Sequence, residues 1–250
     1  APFVRTGKPI LVMDNASAEM TKYAANALLA TKISFMNEIA NLCERVGADV
    51  DQVRRGVGSD SRIGYPFLFP GAGYGGSCFP KDIQALIHTG KESKYELKIL
   101  PAVQTVNQTQ KQILNHKIAC HFQGQLEDKN FAIWGLAFKP RTDDMREAPS
   151  VSIIQYLLEQ KANVIAYDPT AIRQTSLVFG DRIRYAKRNY DCLKDADALV
   201  LITEWDEFRR PNWEMILELM RTPVIFDGRN IYDPVRMRAL GFTYYGIGRP

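Results

Sequence analysis

At 250 residues the chain is long enough to bury one or two full cores. Hydrophobic residues are 46% and charged residues 24%, as in ordinary globular proteins, and no apolar run reaches the roughly 18 residues of a membrane span. The formal charge of +4 is mild and its lysines and arginines are scattered, which excludes a basic nucleic-acid face and suits a phosphate-bearing ligand no better than an ordinary surface.

The opening Ala-Pro-Phe-Val-Arg lacks the charged and apolar regions of a signal peptide and reads like the interior of a protein. Residues 8–14, Lys-Pro-Ile-Leu-Val-Met-Asp, predict a short strand. A strand cannot stand alone, so residues 1–14 are expected to be the remnant of a domain lying upstream. Residues 18–46 predict a long helix that stops at Gly47. One stripe holds Ala24, Ala27, Leu28, Thr31, Phe35, Ile39, Leu42 and Val46, and a second holds Ala25, Leu29, Ile33, Met36 and Ala40. A helix apolar on more than one face needs several neighbours, and a second subunit is expected among them. Lys22 and Asn26 stand four apart on this helix and project together. Spacing alone also describes a solvated polar face there.

A short helix is expected over 50–56 and a loop over 59–64. The stretch Gly71-Ala-Gly-Tyr-Gly-Gly-Ser-Cys-Phe-Pro-Lys-Asp82 follows. Gly71, Gly73 and Gly76 match G-x-G-x-x-G, but that dinucleotide fingerprint needs a strand before it. Here Tyr65–Pro70 precedes it, with prolines flanking the apolar run, and the only acid near the usual downstream spacing is the poorly placed Glu96. The stretch therefore reads as a flexible loop ending at Cys78. Pro80 then suits the first turn of a helix over 81–91, ended near Gly90. A cysteine at a helix N-terminus sits where the macrodipole favours its thiolate, and Asp82 falls one turn away. A further long helix is expected over 99–122, with Pro101 near its start and Gly124 beyond its end.

From about residue 127 the pattern alternates. Strands are expected at 131–135, 163–168, 183–185, 198–202, 224–226 and 242–245, with helical segments at 150–160, 170–177 and 213–220. Near-continuous apolar strands in β-α-β order predict a doubly wound parallel sheet, which binds ligands at the carboxyl ends of its strands. Those ends carry Lys139, Arg141, Arg146, Asp168, Glu204 and Arg229, and the cations among them suit a diphosphate. The turn Trp134-Gly-Leu-Ala-Phe-Lys-Pro is too poor in glycine for the dinucleotide fingerprint. Cys43, Cys78, Cys120 and Cys192 include no C-x-x-C pair, so neither zinc nor a disulfide framework is expected, and a reducing cytosol is the natural home. His88, His116 and His121 lack ligand spacing, so no metal site is expected. His88, ten residues past Cys78, leaves room for a cysteine hydrolase.

Four motifs carry a resemblance over nearly the whole chain. They are Ala18-Glu-Met-Thr-Lys-Tyr-Ala-Ala-Asn26, Gly73-Tyr-Gly-Gly-Ser-Cys-Phe-Pro-Lys-Asp82, Gly135-Leu-Ala-Phe-Lys139 with Arg146-Glu147, and Phe226-Asp-Gly-Arg229. In this order they resemble the nucleotide-sugar dehydrogenases, the UDP-glucose/GDP-mannose dehydrogenase family; the Gly-Gly-Ser-Cys-Phe-Pro-Lys-Asp run is the most specific. The resemblance implies an α/β chain in three parts: a remnant of an N-terminal NAD-binding domain (1–14), a central helical dimerisation domain (15–126), and a Rossmann-like UDP-sugar-binding domain (127–250). It implies NAD-dependent oxidation of UDP-glucose to UDP-glucuronate in the cytoplasm by a homodimer joined through the long helix, with little activity from this chain alone, since most of the NAD domain would be missing. Cys78 would form a thiohemiacetal and then a thioester. Lys22 would stabilise the oxyanion, Asn26 would hold a water or oxyanion beside it, and Asp82 would orient or deprotonate the hydrolytic water. Arg62 would reach the partner subunit's substrate. Phe67, Gly73 and Gly75 would shape the sugar and diphosphate pocket, Lys139 and Arg229 would contact the nucleotide sugar, and Arg146 would contact NAD. Tyr74 stands where the family commonly has phenylalanine. Phe79 after the cysteine fits UDP-glucose, whereas the GDP-mannose enzymes often have leucine there. Another nucleotide sugar (GDP-mannose or a UDP-N-acetyl sugar) and a non-catalytic dimerisation and nucleotide-binding module are the alternatives.

Overall fold

The computed structural model describes residues 10–250. The strand expected over 8–14 lies partly outside these residues. Its described part, from Ile10 to Met13, is exposed and pairs with nothing, because an isolated strand has no ladder to complete.

The long helix, α1 (Asn15–Val46), starts three residues before the expected point because Asp14 caps it: its Oδ1 accepts from Ser17 N at 2.9 Å. Gly47 ends it in the left-handed region at φ 74°. The first stripe is split by burial. Its Ala27 is buried, as are Met36 and Ala40 of the second stripe and Ala30 and Cys43 beside them, while its Leu28, Phe35, Leu42 and Val46 are more than half exposed. Helices α2 (Val50–Ser59), α3 (Phe79–Glu92), α4 (Ile99–Gln110) and α5 (Ile113–His121) follow, with α3 and α4 packed on α1. Gly90 lies inside α3 rather than ending it; a side chain there would meet Tyr95 O at 2.8 Å as the chain turns back. The helix expected over 99–122 is two helices. At the junction Gln112 N reaches back only to Thr109 O, a tighter turn, while the buried Lys111 pairs with Glu147 at 2.7 Å.

The second half is a sheet of six parallel strands: β1 (Asn130–Trp134), β2 (Asn163–Tyr167), β3 (Arg184–Tyr185), β4 (Ala198–Leu201), β5 (Val224–Asp227) and β6 (Thr243–Tyr245). The spatial order is β3-β2-β1-β4-β5-β6, the doubly wound topology with its switch point between β1 and β4. Helices α6 (Pro149–Glu159) and α7 (Ile172–Phe179) cover one face, and α8 (Trp213–Leu219) and α9 (Pro234–Ala239) the other. Alternate residues of β1 serve the two faces: Phe131 and Ile133 one, Ala132 and Trp134 the other. The segment over 234–239 gives no strong periodicity in the sequence; it becomes a helix because Asp233 caps it and Pro234 opens it.

The two halves are not independent. One apolar cluster runs from Met36, Ala40 and Cys43 on α1 through Leu114 and Ile118 on α5 to Phe131, Val200 and Phe226 of the sheet. At the chain's end Gly248 wedges between Ala40 and Val50; its N–H donates to Glu44 and its C=O accepts from Val50 N. The carboxyl ends of the strands are thereby set against the loop that precedes α3.

Candidate active site

Three of the expected residues meet directly. Lys22 Nζ and Asn26 Nδ2 each approach Asp82 Oδ2 to 2.6 Å. They are one turn apart on α1, and α3 crosses α1 so that Asp82, in the first turn of α3, faces both. The Asp82 side chain is fully buried, whereas that of Lys22 is 52% exposed. Asp82 Oδ1 is also buried and has no hydrogen-bond partner among the described residues. Burial alone would raise the Asp82 carboxyl, but hydrogen bonds from Lys22 and Asn26 and the charges of Lys22 and Lys81 outweigh it and hold the group below its ordinary value. The Lys22 ammonium is held above its ordinary value, first by its hydrogen bond to Asp82 and, more weakly, by the nearby Cys78 sulfur.

The sign of the pH dependence follows. Asp82, lowered from 3.8, stabilises the fold above that value and loses the effect as pH falls through its folded value; Lys22, raised from 10.5, stabilises below that value and loses the effect as pH rises through its own. The urea midpoint is therefore expected to fall on acidification below about pH 4, and less steeply in Asp82→Asn. Equal acid slopes in the two proteins would remove this pair as a source of acid sensitivity.

Cys78 is the residue that precedes the first turn of α3, and no side chain caps the helix there. The thiol is exposed and touches Ser77 Oγ at 3.7 Å, while the Cys78 carbonyl accepts from Asp82 N at 2.8 Å. His88 pairs instead with Glu92 at 3.4 Å on its own helix, so it supplies no base for Cys78. Cys43 and Cys192 are buried and their thiols are pushed up by desolvation, Cys192 to about 12.

The glycine loop is not flexible, as its composition suggested, but buried and pinned from 70 to 76. The glycines are there for close approach. A side chain at Gly75 would overlap Glu147 O, and one at Gly76 would meet the Phe138 ring at 2.7 Å. Gly73 has φ 97° and leaves only 3.1 Å to Asn107 Oδ1. Backbone bonds tie Ala72 N to Gly228 O at 2.8 Å and Gly76 N to Arg146 O at 2.7 Å, so the sheet half grips the loop at two points.

Of the other expected residues, Phe67, Gly73 and Arg229 line one cleft of about 420 Å³ with Asn37, Phe69 and Tyr74. Phe67 adopts the left-handed φ of 65°, an uncommon conformation for a bulky residue, at the mouth of this cleft. Gly75 lies behind the loop rather than in the cleft. Arg229 is mostly buried and already committed: its Nε donates to Ile202 O and pairs with Glu204, and a terminal nitrogen donates to Phe138 O. Lys139 is exposed beside it, its Nζ 5.2 Å from the Phe138 ring. Arg146 is exposed and doubly bonded to Asp144; it too is raised, chiefly by that carboxylate and last by Cys78. Arg62 is 87% exposed and clamped to Asp60, away from the other site residues.

Asp168 corrects the reading of the strand ends as ligand groups. It is 1% exposed and accepts from Leu136 N, Ala137 N, Thr170 N, Ala171 N and Trp205 Nε1 at 2.7–3.2 Å. The turn after β1, where a dinucleotide's pyrophosphate binds in folds of this topology, is thus filled by the protein's own carboxylate. The glycine loop, for its part, follows no strand. The described residues do not fit NAD as a dinucleotide cradle. Asn37, Asn107 and Gln110, which hold the loop, were not legible as site residues, because buried carboxamides on helices look like solvated ones in sequence.

Strand order and parallel direction define an α/β protein of the Rossmann type, in which the sheet is joined to a helical half bearing an exposed thiol and a buried carboxylate one turn apart on α3. Comparison with known proteins narrows this. Residues 16–109 match the central domain of the UDP-glucose/GDP-mannose dehydrogenase family, and residues 132–234 match the family's UDP binding domain. The chain belongs to that family. It is 49% identical to a UDP-glucose 6-dehydrogenase of Pseudomonas aeruginosa over 100% of its own length and 56% of the relative's, and 46% identical to UDP-glucose 6-dehydrogenase TuaD of Bacillus subtilis, covering 97% and 52%. The fold matches a UDP-glucose dehydrogenase from Pyrobaculum islandicum with a TM-score of 0.85 at 34% identity, covering 98% of this chain and 54% of that one. The chain therefore spans about half the length of the relatives it matches.

Proposed function

We propose that the protein oxidises the C6 hydroxyl of UDP-glucose to the carboxylate of UDP-glucuronate, with Cys78 as covalent anchor and NAD as hydride acceptor. The observation that carries this reading is the Lys22–Asn26–Asp82 cluster one helical turn from an exposed thiol, set against the carboxyl ends of a doubly wound sheet. The Cys78 thiolate adds to the C6 aldehyde, forming a C–S bond and moving the carbonyl electron pair onto oxygen. Lys22, aimed by Asp82, stands ready to neutralise that oxyanion, with Asn26 beside it. In the last step water adds to the thioester carbon and the Cys78 thiolate leaves. Asp82 fixes Lys22 and Asn26, the groups beside which this water is held; its depressed pKa makes Asp82 a better orienter than proton store, and the proton passes to solvent. NAD supplies the hydride acceptance. The described residues offer no cradle for it, so their chemistry is covalent capture and hydrolysis. The sugar nucleotide would lie along the cleft of Phe67, Gly73 and Tyr74, its diphosphate towards Lys139 and Arg229. A reducing cytoplasm suits four free thiols.

Titration of the 250-residue chain with UDP in a calorimeter is expected to give saturable 1:1 binding, lost or weakened at least about tenfold in Arg229→Ala. NADH absorbance with UDP-glucose is expected to rise slowly. Absence of UDP binding would overturn the nucleotide assignment, and rapid NADH production would overturn the missing-cradle argument.

The exposed stripe of α1 supports a homodimer. Leu28, Phe35 and Leu42 stand seven apart with Met20 and Val46 at the ends, an apolar seam unlike the polar face of a solvated helix. Sedimentation at micromolar concentration is expected to show a dimer, and Phe35→Glu a monomer. A wild-type monomer would refute the seam.

A further inference from the structure

The groups that carry the chemistry lie on α1 and α3, yet the path of the chain between them is held by three buried carboxamides that no motif announces. Asn107 on α4 is 5% exposed and grips one loop residue through both of its backbone groups: Oδ1 accepts from Tyr74 N at 2.9 Å and Nδ2 donates to Tyr74 O at 3.1 Å. Gln110, one turn further along α4, donates from Nε2 to Gly71 O at 2.7 Å. Asn37 on α1, wholly buried, accepts from Gly71 N at 2.8 Å. The far end of Gln110 is fixed in turn, since its Oε1 accepts from Asn41 Nδ2 at 2.8 Å. Gly71 and Tyr74 thus have their backbone donors and acceptors met by side chains of two helices rather than by a neighbouring strand.

The choice of side chain is specific. A carboxamide offers a donor and an acceptor at the spacing of a peptide group, so Asn107 pairs with Tyr74 as a strand residue pairs across a ladder. Aspartate keeps only the acceptor and leucine neither. The segment so held contains Gly71, Gly73, Gly75 and Gly76, the residues with the widest conformational range once released. Rigidity that the glycines cannot supply is imported from α1 and α4.

We propose that Asn107, Gln110 and Asn37 are positioning residues that hold residues 71–76 as a fixed template, which sets the wall of the nucleotide cleft and the start of α3 where Cys78 is presented. The effect on UDP rests on the functional reading above; the effect on the loop and on Cys78 rests on the geometry alone.

The test uses the 250-residue chain with Asn107→Asp, Asn107→Leu and Gln110→Glu. At about pH 8 the ionised aspartate sets acceptor against acceptor at Tyr74 O; at about pH 5 the buried acid, its pKa raised by burial, is protonated and regains a donor, which leucine never does. Three quantities are read against wild type at each pH: exchange of the Ala72, Tyr74 and Gly76 amides, the rate of Cys78 alkylation by iodoacetamide resolved by peptide mass, and UDP affinity. At about pH 8, Asn107→Asp is expected to exchange these amides about tenfold faster, to shift the alkylation rate at least about threefold, and to weaken UDP about tenfold, with recovery to within about twofold at about pH 5. Asn107→Leu stays impaired at both. Gln110→Glu repeats the pattern at Gly71 and serves if the Asn107 variants do not fold. Wild-type exchange and alkylation in both acidic variants at about pH 8, or impairment that acid does not relieve, would overturn the proposal. A wild-type chain that binds no UDP would bring down the functional reading, and exchange and alkylation would still decide the role of the amides.

Discussion

Cys78→Ala is expected to lower turnover of UDP-glucose in the full-length protein by at least about 10³-fold while leaving UDP affinity within about twofold. The thiol is the exposed nucleophile at the start of α3, and the nearest hydroxyl, Ser77 Oγ at 3.7 Å, is too weak an acid to replace it. The cleft proposed to hold the nucleotide is built from the loop, α1 and Arg229, none of which depends on the sulfur. NADH absorbance gives the turnover and calorimetry gives the affinity. Thiol titration adds a check independent of activity: two accessible thiols, Cys78 and Cys120, become one. A variant keeping a tenth of wild-type turnover would refute covalent catalysis through Cys78.

Asp168→Ala is expected to destabilise the fold by about 3–5 kcal/mol, the largest stability effect of any single polar side chain described here. It would leave five N–H donors without their acceptor, and the bonds of three of them, Leu136, Ala137 and Ala171, are buried; the others are Thr170 N and the Trp205 indole. Asp168→Asn keeps an acceptor oxygen for either the three donors that meet Oδ2 or the two that meet Oδ1, and is expected to cost roughly half as much. Urea unfolding followed by tryptophan fluorescence measures both. A loss below about 1 kcal/mol in the alanine variant would mean that the carboxylate does not organise the turn. The same substitution tests whether the internal carboxylate occupies the place where a pyrophosphate binds in folds of this topology. Removing the internal carboxylate frees the amides of Leu136 and Ala137 to bind an external anion, which added sulfate would reveal as partial recovery of stability.

The strands show how much was legible in the sequence. Each expected strand from 131 onward appears within two residues of its predicted limits, because a parallel strand covered on both faces needs an unbroken apolar run, and such runs at 131–134, 198–202 and 224–226 are plain in the residues. The long helix was equally legible from its period. Its division of labour was not: both apolar stripes look alike in sequence, and only the placement of α5 and the sheet decides that Met36 and Ala40 are buried while Phe35 and Leu42 face outward. The single helix expected over 99–122 failed for a related reason. The break at Lys111 and Gln112 carries no glycine or proline; it answers to Glu147, which the sheet half brings alongside.

The site divides in the same way. Lys22 and Asn26 had to share a face, since four residues make one turn, and Cys78 had to precede Asp82 by a turn once Pro80 opened a helix. By itself, then, the sequence determined the helical half, the doubly wound sheet and the two pairs of reactive residues, because all of these follow from local periodicity and short spacing. Only the tertiary structure decided that Lys22 and Asn26 converge on the buried carboxylate of Asp82, that the glycines serve close packing rather than freedom, and that Asp168 answers the protein's own amides rather than a ligand. Those outcomes depend on which buried donors and acceptors meet across 30 to 60 positions of chain, and a polar residue's partner at that range leaves no trace in the residues beside it.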